Sequence, residues 1–149
     1  MAFIPAQANG NIHPCRFVSM DASNQPTTDF KVIEDIIVAA PIAGIAQEGS
    51  DWPPLNDAHV TVAGYAAIAG EAVKVFADGE ICLLEIASAV VAGQLLKTNG
   101  TTDGRGIPVD ISSSTTTAQQ YGAMALHSGG TAGEKVKVIV KTGVYTYHA

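Results

Sequence analysis

The chain has 149 residues and a mass of 15.3 kDa, enough for one domain with its own core. Only 15 % of its residues are charged and the mean hydropathy is +0.22, which excludes a disordered polymer. A net charge of −6, with eight scattered Lys and Arg, leaves no basic stripe for nucleic acid; no apolar run is long enough to span a membrane.

Residues 1–14 have no period and no charge, and Pro5 and Pro14 oppose a helix through them. This stretch is expected as an extended N-terminal arm preceding a single β domain over 15–149. It lacks the basic start and long apolar stretch of a secretion signal, which predicts a protein made and kept in a reducing cytoplasm. The arm has Phe3, Ile4 and Ile12 to bury and no internal pattern with which to bury them. It is therefore expected to dock along a neighbouring subunit through these three side chains.

Residues 15–20 form a short strand, and 24–26 a turn. Apolar runs follow at 30–34 and 36–39, broken by Glu34-Asp35, and 41–46 reads as a turn entering another strand. Residues 49–54 are a loop, because two consecutive prolines cannot sit inside a paired strand. Trp52, the single Trp, either anchors this loop over the core or serves as an interface anchor. Residues 57–62 again read as extended.

In the middle, 72–76 and 80–86 are strands flanking Asp78-Gly79, the dipeptide of a tight hairpin. Residues 98–117, rich in Gly, Thr and Ser, read as a long exposed hairpin or loop with a short edge strand at 107–111. Residues 121–126 return to the core. From 135 to 141 the chain alternates, with Val136, Val138 and Val140 facing one way and Lys135, Lys137 and Lys141 the other, as in a half-buried antiparallel strand. A last short strand is expected at 144–148. The chain holds 14 Val and 13 Ile against 6 Leu, a balance that favours pleated strands. The fold class is all-β: a small antiparallel barrel or sandwich with little helix.

Chemistry is sparse. His13, His59, His127 and His148 show no zinc spacing, and Cys15 and Cys82 form no C-x-x-C, so they read as two buried thiols. His13 and Cys15, two apart, are a weak candidate for a metal. There is no nucleophile elbow and no phosphate-binding loop. The pairs Glu34/Asp35 and Glu80/Glu85 fall on opposite strand faces and read as solvated carboxylates. No catalytic, cofactor-binding or metal site is expected.

The segment 70–106, GEAVKVFADGEICLLEIASAVVAGQLLKTNGTTDGRG, resembles the bacteriophage capsid cement, or head decoration, protein family. The resemblance lies in a valine-rich strand at 73–75, the turn at Gly79 and a strand ending at Glu85. It continues through the small residues of 87–93 and the polar stretch ending at 103–106. Residues 14–18, 41–46, 122–126 and 136–140 extend the likeness over most of 12–141, while the Thr/Ser stretch at 112–117 departs from it. The resemblance implies a non-enzymatic virion protein without cofactors on the outer surface of an icosahedral phage capsid. Such a protein clamps neighbouring subunits of the major capsid protein and commonly forms homotrimers, with no nucleic-acid or membrane partner. A small β-sandwich binding module, such as a carbohydrate-binding or adhesin domain, is the alternative, although only 6 % of residues are aromatic.

Overall fold

The computed structural model describes residues 4–20, 31–34, 42–46, 72–99, 104–112 and 118–146, and among these it is all β, with no helix. Ten strands form two units. The first is a closed barrel in the order β1-β3-β2-β4-β5: β1 Ile4–Ala8, β2 Phe17–Met20, β3 Lys31–Glu34, β4 Ile42–Ala46 and β5 Ala72–Phe76. The second is an antiparallel sheet in the order β6-β10-β9-β7-β8: β6 Ile81–Glu85, β7 Leu95–Thr98, β8 Gly106–Pro108, β9 Gln119–Ala125 and β10 Lys135–Tyr145.

The barrel is not wholly antiparallel. A ring of five strands cannot alternate direction all the way round, and the mismatch falls between β1 and β3, which pair in parallel. The other four pairings are antiparallel. The same arithmetic marks the sheet. Its edge strands curl toward each other until Ile86, just after β6, makes a parallel bridge to Gly106 of β8.

Adjacent residues of β2 and β4 serve different cores. Phe17 and Ile45 point to the sheet and pack with Leu84, Ile86, Leu96, Val136, Val138 and Val140. Val18 and Ala46, one residue on, point into the barrel and pack with Ala8, Ile12, Val32, Val73 and Val75. This is the period of two of a strand with both faces covered. It explains why these strands read as nearly unbroken apolar runs.

Two sequence expectations are corrected. Of the segment 1–14, expected as an extended arm, residues 1–3 lie outside the described residues and 4–8 belong to the barrel. Residues 4–8 are β1, paired from Ile4↔Val75 to Gln7↔Ala72 and, on the other side, at Ala8↔Val32. Uncharged extended backbone fits the slot between two barrel strands as well as it fits a partner's edge. Second, 72–76 and 80–86 do not pair with each other. The turn chemistry holds, since Gly79 takes φ +91°, but the turn hands the chain from the barrel to the sheet. There β6 pairs with β10 and leaves β5 between β1 and β4. Of the last strand expected at 144–148, residues 144–145 belong to β10, which runs to Tyr145 through a bulge between Val140 and Gly143, and 147–148 lie outside the described residues.

Candidate functional site

The best-defined polar cluster lies on the seam between barrel and sheet, and residues 13–17 build it. Along this run the backbone bonds to both units. The Cys15 amide donates to the Ala46 carbonyl at 3.0 Å and the Cys15 carbonyl accepts from Glu85 at 2.7 Å. The Phe17 amide donates to the Gly104 carbonyl at 2.8 Å. Cys15 holds φ +59°, a left-handed conformation uncommon outside glycine, and so turns the chain into β2.

Arg16 spans the seam. Its Nη1 donates to Glu34 Oε1 of the barrel at 2.8 Å and its Nη2 to Glu85 Oε2 of the sheet at 3.0 Å. Arg105 Nε stands 3.8 Å from the same Glu85 oxygen. On the other side of Glu34, the His13 amide donates to Oε2 at 3.0 Å and the His13 Nδ1 lies 2.8 Å from it. The Gly104 amide makes a longer bond to Oε1, at 3.4 Å. The side chains of Arg16, Glu34 and Glu85 are only 14 %, 10 % and 19 % exposed.

Burial pushes the Glu34 carboxyl up, but hydrogen bonds from Arg16 and His13 outweigh it and hold the group below its ordinary value. Both oxygens are occupied by donors, so this carboxylate is a fastener and not a general base. In a buried ion network of this kind the cost of desolvating the charges offsets much of their mutual attraction. Among the described residues no three His, Cys, Asp or Glu side chains gather as metal ligands.

The second feature is the outer face of the sheet. Opposite the buried valines of β10, Ile139 pairs with Ile81 of β6 on one side and Met124 of β9 on the other, and Met124 pairs with Leu95 of β7. These four apolar side chains form one row across four strands, with Ile81 56 % exposed. Leu83 stands opposite Lys137, and the Leu126 amide bonds to the Lys137 carbonyl.

Of the residues singled out in the sequence, Phe3 and Trp52 lie outside the described residues. Ile4 opens β1 opposite Val75. Ile12 is 0 % exposed inside the barrel, so its side chain is taken up by its own chain. Two of the four carboxylates read as solvated, Glu34 and Glu85, are the seam's acceptors. A sequence signal for them existed. The chain has two Arg, set in Cys15-Arg16-Phe17 and Gly104-Arg105-Gly106. Arg set among apolar and glycine neighbours is a candidate for burial, and a buried guanidinium is paired. The apolar outer row had no such signal, because it depends on which strands pair.

No protein-family model matches the chain, and no curated protein sequence does. Among solved structures, the chain is similar to the N base of the head fiber gp8.5 in bacteriophage phi29, with a TM-score of 0.52 and 18 % sequence identity. The superposition covers 93 % of this chain and 92 % of that one. At this identity the likeness is one of fold.

Proposed function

We propose that the protein is a structural component of a phage virion, attached to the outside of the head. The observation that carries this reading is the end-to-end match to a head fiber base: one fold accounts for nearly all of both chains. On this reading the protein decorates the shell, clamps neighbouring subunits of the major capsid protein and works as a homotrimer without catalytic residues or cofactor. The seam supports it, since its carboxylates are consumed in joining barrel to sheet. A protein that binds only the assembled lattice favours the closed shell by mass action.

The test is electron microscopy of heads from the phage that encodes the chain, together with melting of heads that lack it. Regular surface density for the protein, and release of DNA at a lower temperature from depleted heads, are the expected results. Absence of the protein from purified heads overturns the reading.

A further inference from the structure

We infer that the outer face of the five-stranded sheet is the docking face, and that its partner is an acidic, apolar-centred surface of the shell. This rests on the head-attachment reading and adds to it the face and the chemistry of the contact. Three observations carry it.

The first is the apolar row. An antiparallel sheet with one solvated face ordinarily presents polar side chains outward. Here Ile81, Ile139, Met124 and Leu95 pair across β6, β10, β9 and β7 on the face turned away from the core. Exposed Leu83 and Leu126 flank them. A strip with Ile81, Leu83 and Leu126 exposed and Ile139, Met124 and Leu95 half-buried marks an interaction surface.

The second is charge. The chain has 14 acidic residues against 8 Lys and Arg. Two of those eight, Lys137 and Lys141, stand exposed on the outward side of β10 beside the row, while Lys135 is in register with Glu85. Of the nearby carboxylates, Glu85 is ion-paired with Arg16, while Asp78 and Glu134, in the turns before β6 and β10, bond the Thr142 and Gly130 amides. Lys137 and Lys141 thus give the apolar row a cationic border in a mainly acidic protein. That face complements carboxylates around an apolar patch.

The third is what the face disfavours. Two copies meeting through it about a two-fold axis would place the same lysines against each other. The charge pattern therefore disfavours a two-fold pair of copies on this face.

The test uses the full chain and empty heads stripped of it. The unaltered protein is expected to rebind, more weakly as salt is raised. Lys137→Glu with Lys141→Glu is expected to weaken binding about tenfold or more. Ile81→Ser, at an exposed position that leaves the fold intact, is expected to weaken it as well. Lys74→Glu, exposed on barrel strand β5, is expected to bind as the unaltered chain does. Thermal melts confirm that each variant is folded. Unchanged binding by the double variant overturns the docking face while leaving head attachment standing. So does conversion of a free oligomer to monomers by that variant, which identifies the face as a contact between copies. Failure of the unaltered chain to bind overturns head attachment and, with it, this partner.

Discussion

Phe17 and Gly104 meet backbone to backbone across the seam. The Phe17 amide donates to the Gly104 carbonyl at 2.8 Å, and a Cβ on Gly104 would run into the Phe17 carbonyl oxygen and stand 3.3 Å from Glu34 Cγ. Barrel and sheet approach this closely because residue 104 has no side chain.

Gly104→Ala is therefore expected to destabilise the fold by about 1–3 kcal/mol, the usual penalty of an added methyl where nothing can yield. Urea unfolding followed by circular dichroism measures it. A midpoint equal to that of the unaltered chain would show that the seam can open to admit the methyl.

Glu34→Gln keeps the shape and removes the charge that Arg16 and His13 bind. At pH 7 the loss is expected to be about 1.5–3 kcal/mol, the range for hydrogen bonds to a charged group. The Glu34 carboxyl titrates below its ordinary value of 4.5 in the folded chain. Its contribution is thus fully present above that value and disappears as the pH falls through the lower, folded value. The stability gap between the two proteins is expected to narrow below about pH 4. Paired urea titrations at pH 7 and pH 3 check this, and a gap that does not change with pH counts against it.

Neighbouring leucines of β6 separate the two faces. Leu84 is fully buried and Leu83 points outward. Leu84→Ala is expected to cost about 2–5 kcal/mol, whereas Leu83→Ala is expected to stay within about 0.5 kcal/mol. Equal effects in thermal melts would mean that the register of β6 on β10 is wrong.

Burial, with the nearby Cys15 and Glu80, pushes the Cys82 thiol up to about 12. It is protonated at pH 8, and Cys15 is buried. Iodoacetamide is expected to label neither thiol in the folded protein over a time that labels both in urea, since the thiolate is the reactive form. Mass spectrometry reads the outcome, and rapid labelling of the folded chain would contradict it.

Much of the fold was legible because the local signals were one-dimensional. The alternation over 135–141 placed Val136, Val138 and Val140 inward and Lys135, Lys137 and Lys141 outward, as observed. Pro41 and the following Ile-Ala-Gly-Ile-Ala run gave β4, and the Val-rich run at 72–76 gave β5. Long-range partnership was not legible. Asp78-Gly79 specifies a reversal with positive φ, and the same reversal serves a hairpin or a crossing between units. Which one forms depends on whether β10, more than 50 residues later, offers β6 a better edge. The seam was hidden for the same reason. Glu34 and Glu85 meet one guanidinium only after barrel and sheet are both built. Ile12, apolar in an unpatterned stretch, is expected from the sequence to dock on a neighbouring subunit, and its own barrel takes it instead.

The pairing of β1 with β5 has a consequence in time. The first strand finds its antiparallel partner only at 72–75, so a chain leaving the ribosome carries β1 without that neighbour until about 70 further residues have followed. Loop-closure entropy opposes the contact until then. The barrel is thus a late event, in the slow regime of folds dominated by distant contacts. Until the ring closes, β1 and β4 are open edges able to accept a strand from another nascent chain. Dense synthesis of this protein therefore favours swapped assemblies through those edges, and prompt delivery of residues 72–76 is the condition under which closed single-chain barrels win.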